Sequence, residues 1–430
     1  MKESTAVVNR EKTSKRVSYA LFFASCGMFL SLQLICFICK LSGIDGVVCH
    51  DIIFLVSAVL SFLGCVVAIV GEFSDISIKR LREEAKGKYE IIFLIFALLW
   101  TFIATVFATK QDVVWLGNSY NKEGFVSILG YGAIAISAYR IKDEDRKKLI
   151  KLFILASLIP ATFLLFVNIF SIKTPVSPTR SVYRNSNHYG YSLCVLSILS
   201  AGLLIYEKKL WQKVLYGCGF LILNANLLVS DCFGAHLGQI AGLICLVILK
   251  TVENRKIIPS VIILVALMAL GTTLLEVTKI TSISDDYSAL FSDVREIAGG
   301  GASGSEGSSR LGLWGETLTV ISKVPFFGKG LDCYYGNNLF ADVDMPHNEY
   351  LQIASNVGIP VLICYLAFLT VTYVKAIQKR KALTDTQKLA LIGGVGYLVS
   401  ATFGNTFLYT YPILVIMLAF GMVRRNKCSE

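Results

Sequence analysis

Residues 257–276 read IIPSVIILVALMALGTTLLE, with Glu276 at the end as their single charge, and they follow the basic positions Lys250, Arg255 and Lys256. A bilayer core about 30 Å thick is crossed by roughly 20 apolar residues in a helix. This stretch therefore reads as a transmembrane helix with a basic N-terminal flank. Working outward, similar stretches lie upstream near 17–38, 51–71, 91–109, 124–139, 149–170, 189–206, 211–229 and 233–249. Downstream they recur near 351–374, 389–406 and 408–423. Strand-like alternation is absent, and helices satisfy their own backbone in lipid. The expected fold is all-α: a polytopic membrane protein with about 12 transmembrane helices.

Composition agrees. The 430 residues are 54% hydrophobic and only 17% charged, and the mean hydropathy is +0.63. Soluble domains carry about 25% charge. The net charge of +11 suggests a nucleic-acid partner until its distribution is read. Lys and Arg cluster between alternate helices: Lys2 to Arg16, Lys79 to Lys88, Arg140 to Lys151, Lys208 to Lys213, Lys250 to Lys256, Lys375 to Lys388 and Arg424 to Lys427. Under the positive-inside rule this alternation puts both termini in the cytoplasm and requires an even number of spans. No nucleic acid is implied. The first apolar run follows a basic tail and is long enough to span, so it reads as a retained helix rather than a cleaved signal. The 12 cysteines lie mostly inside expected spans without metal-ligand spacing. They read as small buried hydrophobes in a chain without structural disulfides.

The resulting division is a cytoplasmic tail (1–16), transmembrane helices one to nine (17–276), an extracytoplasmic loop (277–350), helices ten to twelve (351–423) and a second cytoplasmic tail (424–430). The large loop between spans nine and ten is long enough to demand a function. Its glycine- and serine-rich part runs GGGASGSEGSS from Gly299 to Ser309. Then RLGLWGETLTVIS, Arg310 to Ser322, places Leu311, Trp314, Leu318 and Ile321 at helical spacing. That pattern predicts an amphipathic helix lying on the membrane surface and ended by Pro325. The segment FFGKGLDCYYG follows, and MPHNEYLQIASNVGIP leads back into the membrane.

Few residues at the outer boundary carry chemistry. His347 stands where the large loop returns, and a neutral imidazole there can accept a proton at physiological pH. A boundary histidine is also a common structural residue. His50, His188 and His236 are the other histidines of the chain. Outer arginines are Arg180, Arg184, Arg295 and Arg310. Arginine holds phosphate oxygens through a planar fork, although each of these also suits an anchor to lipid headgroups. Arg180 and Arg184 share RSVYRNSNHYGY with Asn185, Asn187 and His188, a dense set of donors. Asp342, Asp344 and Glu349 surround His347 without forming a metal motif. Tyr334, Tyr335, Tyr350, Tyr409 and Tyr411 suit stacking on sugar rings or the ordinary aromatic belt. No nucleotide pool lies outside the membrane, so a transferase acting there takes a donor already activated and carried across on lipid. A transporter is the rival reading, but the expected spans hold little charge and the polar residues gather in outer loops.

Four segments resemble one family. His347-Asn348-Glu349-Tyr350-Leu351-Gln352 with Gly358-Ile359-Pro360 resembles the HNxYLQ…GIP hallmark of the O-antigen ligase and O-antigen polymerase superfamily. Arg310…Trp314…Pro325-Phe326-Phe327-Gly328-Lys329-Gly330 is similar to its R…W…P-hydrophobic-GxG segment. Arg184-Asn185-Ser186-Asn187-His188 is similar to its NxN loop, and Tyr120-Asn121-Lys122-Glu123-Gly124-Phe125 to its basic-E-G-hydrophobic helix start. The resemblance implies a metal-independent, inverting glycosyltransferase of a bacterial plasma membrane that needs no cofactor. Its donor would be a glycan on undecaprenyl diphosphate and its acceptor a glycan or lipid. His347 would be the general base. Arg310, Arg184 and Arg180, with Asn187, Asn348 and Tyr350, would bind substrate. One departure stands out: where the family often has Ser-Arg-Gly, this chain has Ser230-Asp231-Cys232. Either Arg180 or Arg184 takes over the phosphate contact of the missing arginine, or this chain handles a different lipid carrier or acceptor.

Overall fold

The computed structural model describes residues 2–44, 46–72, 89–119, 121–172, 181–253, 257–278, 310–333 and 345–422. Among these residues the secondary structure is helical throughout, with no strand. The helices are α1 (Lys2–Leu30), α2 (Leu32–Leu41), α3 (Gly46–Glu72), α4 (Tyr89–Val106) and the single turn α5 (Gln111–Val114). Then come α6 (Phe125–Arg140), α7 (Asp143–Ile169), α8 (Ser186–Tyr206), α9 (Leu210–Val229), α10 (Phe233–Glu253) and α11 (Ile258–Val277). After these follow α12 (Arg310–Lys323), α13 (Glu349–Val357), α14 (Ile359–Gln378), α15 (Asp385–Ser400) and α16 (Tyr411–Gly421).

The quoted stretch is α11, and every expected span overlaps a helix. Not every expected span is one long apolar helix. Eight helices among the described residues are long and apolar enough to cross a membrane, or nine if the bent pair α1–α2 is one span. That pair bends by 56° at Ser31, whose hydroxyl donates to the Gly27 carbonyl at 2.8 Å. Such back-bonding loosens a helix and favours a bend. The expected tenth span is two helices, α13 and α14, parted at Gly358. The expected eleventh ends at Ser400 and passes into a turn of 3₁₀ helix, Ala401–Phe403. Helices α6 and α16 are apolar but shorter.

Burial sorts the helices by position. Of α8's apolar window, 89% is buried in the protein, against 22% for α4 and 17% for α11. Helix α8 is therefore central, whereas α4 and α11 turn Phe102, Ile262 and Val265 outward, as lipid-facing helices do. Without a hydrophobic drive between helices in lipid, polar contacts and close packing hold them together. Gln33 of α2 donates to Ser192 of α8 at 2.6 Å, and Gln239 of α10 donates to Ser197 at 2.9 Å. Ser200 donates to the Tyr216 carbonyl of α9 at 2.8 Å.

The two poles of the bundle differ in charge. At one pole Lys147 and Lys151 pair with Glu207 at 3.0 and 2.9 Å, Lys375 pairs with Glu90, and Lys388 pairs with Glu253. Buried Arg146 donates there to the carbonyls of Ile141 (2.9 Å), Tyr139 (2.9 Å) and Phe420 (2.6 Å). A fixed guanidinium fork thus caps the ends of α6 and α16, where carbonyls lack helical partners. The opposite pole holds the α2–α3 turn, residues 107–119 and 121–124, the start of α8, α12, α13 and residues 401–410. The polar motifs of the sequence meet there.

Candidate functional site

His347 lies in the left-handed region, φ 48°, immediately before α13. A side chain other than glycine held there marks a position fixed by its surroundings, and such positions recur at functional sites. Three contacts fix it. Trp314 of α12 donates from Nε1 to the Pro346 carbonyl at 3.0 Å. Asn348 is the N-cap of α13, its Oδ1 accepting from Leu351 N at 3.1 Å. Asn405 places Nδ2 3.4 Å from His347 Nδ1. Gln352 holds the Asn405 segment in turn, accepting from Thr406 N at 2.9 Å.

The half-buried imidazole faces residues from the start of α8. Asn185 caps that helix by accepting from Asn187 N at 2.8 Å, which carries the buried His188 into the bundle. His188 Nδ1 is 2.6 Å from the Tyr409 hydroxyl, and its ring packs on Phe407 at 4.1 Å. His188 lies near enough to His347 and His50 for their charges to interact. His50 completes the wall by stacking on Tyr409 at 4.5 Å. Three of the four histidines thus converge at one pole. Arg184 is exposed beside this wall, on a loop held by Lys40, which donates to the carbonyls of Ser181 (3.1 Å) and Tyr183 (3.3 Å).

Two sequence motifs interlock beneath His347. Ile359 N donates to the Pro325 carbonyl at 2.8 Å, Lys329 N to Ser355 at 2.8 Å and Gly330 N to Asn356 at 2.9 Å. The PFFGKG turn and the GIP break are therefore one structure. Gly358 (φ 93°) and Gly328 (φ 65°) make it possible, because an added Cβ would lie 2.0 Å from the Phe326 carbonyl oxygen or 2.4 Å from the Asn356 carbonyl carbon. The next residues carry Asp332, which accepts from Asn118 N (2.6 Å), Asn121 Nδ2 (3.0 Å) and Glu123 N (3.3 Å). This pins the basic-E-G segment in place. Lys122 pairs with Asp51.

Below lie two buried carboxyls. Glu123 accepts from the Tyr131 hydroxyl at 2.6 Å, and Glu349 accepts from Tyr365 at 2.9 Å. Burial pushes the Glu123 carboxyl up to about 8, with Asp332 and Glu349 adding to the rise, and burial pushes Glu349 up to about 7. Both are suited to the neutral form.

The expected site residues are placed unevenly. His347, Asn348, Arg184 and Asn187 share the pole. Tyr350 points into the helix packing, donating to the Leu398 carbonyl at 2.8 Å. Arg310 begins α12, one turn before Trp314, but its side chain lies outside the described residues, as do Arg180, Arg295, Tyr334, Tyr335, Asp342 and Asp344. The sequence reading missed Asn405 and Asp332. The polar triplet Gly404-Asn405-Thr406, interrupting two apolar runs, was the available signal for the first.

Helix α12 corrects another expectation. Its buried residues are Leu313, Thr317 and Ile321, whereas Leu318 is exposed and Trp314 half-buried. The helix docks by a face rotated from the one expected, and Thr317 tolerates burial because its hydroxyl donates to the Leu313 carbonyl at 2.6 Å.

Residues 218–366 match the family model described as O-antigen ligase. The match contains His347, Asn348, Tyr350 and Arg310, and ends before Asn405. Arg184 and Asn187 lie upstream of it. An uncharacterized protein of Haemophilus influenzae is 23% identical over 274 residues, which are 63% of this chain and 65% of that protein. The alignment thus spans slightly under two thirds of the relative's length. The family match bears out the resemblance to the O-antigen ligase and polymerase superfamily.

Proposed function

We propose that this protein, similar to O-antigen ligases through residues 218–366, is a membrane glycosyltransferase that polymerises lipid-linked repeat units into a surface polysaccharide. The observation carrying the proposal is His347, held at φ 48° between Trp314, Asn405 and the α13 cap. The basic pole of the bundle is cytoplasmic, with both termini, in a bacterial plasma membrane. The His347 pole then faces outside, where the donor is a glycan on undecaprenyl diphosphate.

In this mechanism His347 draws the proton from an acceptor hydroxyl. The oxygen attacks the anomeric carbon, and lipid diphosphate leaves with inversion and without a metal. A sugar hydroxyl is far less acidic than imidazolium, so proton transfer accompanies bond breaking and supplies about 10²–10⁴-fold. Stabilising the departing charge must supply the rest. Arg184, Arg180 and Arg310 are assigned that role, with Asn187 and Asn348 lining the sugar path and Tyr350, bonded to the Leu398 carbonyl, supporting them from within the helix packing. A groove of about 380 Å³ between α4 and α14, lined by Phe96, Pro325, Phe326, Ile359, Pro360 and Ile363, suits the isoprenoid chain.

A ligase passing a finished glycan to lipid or protein shares this donor chemistry, and the O-antigen ligase description of the matching family favours it. Single-turnover assay of the purified protein with extracted lipid-diphosphate glycan, beside His347→Ala, separates the readings. A ladder of products lost in the variant supports the polymerase. One discrete transfer to an added acceptor identifies a ligase. An equally active His347→Ala protein refutes the base, and no product from authentic donor points to transport.

A further inference from the structure

Where α2 turns back into α3, three thiols meet. Cys49 Sγ, in the first turn of α3, lies 2.8 Å from Cys39 Sγ, in the last turn of α2. Cys36, one turn earlier, lies near enough to Cys49 for the two thiols to interact. Cys36 and Cys49 are buried, whereas Cys39 is partly exposed. Each is a free thiol in this structure. Two thiols in contact offer thiol–disulfide chemistry. Disulfides persist in oxidising compartments and are rare in the cytosol. The turn lies at the His347 pole, because Lys40, next to Cys39, holds the Arg184 loop.

We propose that, against the expectation of a chain without structural disulfides, Cys39 and Cys49 form a disulfide outside the membrane. The oxidant is a thiol–disulfide oxidant of that compartment. Exposed Cys39 attacks it, forming a mixed disulfide and releasing one oxidant thiol. Cys49 thiolate then attacks Cys39 Sγ and releases the second. Two thiols lose two protons and two electrons, and the oxidant's disulfide becomes a dithiol. The bond ties α2 to α3 one residue before His50, whose ring stacks on Tyr409 at 4.5 Å, while Cys36 lies beside Tyr183 on the same wall. The cross-link therefore braces the aromatic wall that holds His188.

The inference rests on the outward orientation proposed above, so two measurements are paired. Cells are lysed into denaturing detergent containing N-ethylmaleimide, so that burial protects no thiol, and peptides are read by mass spectrometry without reduction. A peptide pair joined through Cys39 and Cys49 is expected in most copies, absent after reduction and in Cys39→Ser. Maleimide on both residues in most copies overturns the proposal, as does a pair joined through Cys36 and Cys49 instead. In parallel, intact cells carrying Ser42→Cys, an exposed position in the same turn, receive a membrane-impermeant maleimide. Labelling there with Cys39 and Cys49 unlinked counts against the disulfide alone; no labelling there counts against the orientation.

Discussion

The indole of Trp314 donates to the Pro346 carbonyl at 3.0 Å, fastening α12 to the residue that precedes His347. The bond spans 32 residues of sequence and sets the height of the imidazole above the bundle. A single positioning hydrogen bond is worth about 1 kcal/mol.

Trp314→Phe keeps a ring of similar packing and removes the donor. Transfer is expected to slow about 5–10-fold, the rate equivalent of that energy, with helix content unchanged and thermal unfolding lowered only by the bond's own share of about 1 kcal/mol. Comparing turnover with unfolding in detergent checks this. Unchanged turnover would show that the bond does not position His347.

Gly358 carries the opposite expectation, a structural one. At φ 93° an added Cβ would lie 2.0 Å from the Phe326 carbonyl oxygen, which is backbone and cannot swing aside. Gly358→Ala is expected to cost about 3 kcal/mol and to lower the yield of folded protein. Gly132, inside α6, has nothing within 4 Å of the place an added methyl would take. There Gly132→Ala is expected to stabilise by about 0.5–1 kcal/mol. Thermal unfolding of the two variants side by side separates strain from helix propensity.

These two glycines show what hydropathy can and cannot read. Apolar length and basic flanks located α11 and its neighbours because lipid dictates both properties. Hydropathy is blind to φ, so residues 351–374 read as one span although Gly358 divides them. It also hid Asn405 inside an apolar run, because a neighbouring polar residue hardly alters a window average. The docking face of α12 was missed because Thr317 satisfies its own hydroxyl at the Leu313 carbonyl. His347, Asn348 and Arg184 were legible as motifs. Asp332 was not, since its value lies in three donors more than 200 residues away.

The buried carboxyls predict a pH dependence with a definite sign. Burial raises Glu349 from 4.5 to about 7 and Glu123 from 4.5 to about 8. Between those values the folded protein binds more protons than the unfolded chain. The stability these groups contribute is therefore fully present below about 4.5 and lost as pH rises through about 7 and 8. For Glu349 alone the change is about 3 kcal/mol by linkage. Unfolding temperature should fall as pH rises from 5 to 8, and Glu349→Gln, neutral throughout, should flatten the trend. A variant with the wild-type slope would show that Glu349 does not titrate in this range.

Asn405 gives the sharpest test of the proposed base. Its Nδ2 lies 3.4 Å from His347 Nδ1, while its own Oδ1 is buried without a hydrogen-bond partner. A half-turn of the amide brings that oxygen to Nδ1, where it accepts the Nδ1 proton and leaves the Nε2 lone pair for the acceptor hydroxyl. The partner on one imidazole nitrogen fixes the tautomer of the other. Asn405→Ala should lower the rate of the transfer step about 10-fold, because the ring loses its orienting partner. Asn405→Asp keeps the acceptor and adds a negative charge beside the ring, which stabilises the imidazolium. Its acidic limb in the pH–rate profile should therefore move to higher pH, with the plateau rate largely kept. A dead Asn405→Asp protein that remains folded would mean that Asn405 donates to Nδ1 instead. The proton would then sit on Nε2, and His347 could not act as the base from that face.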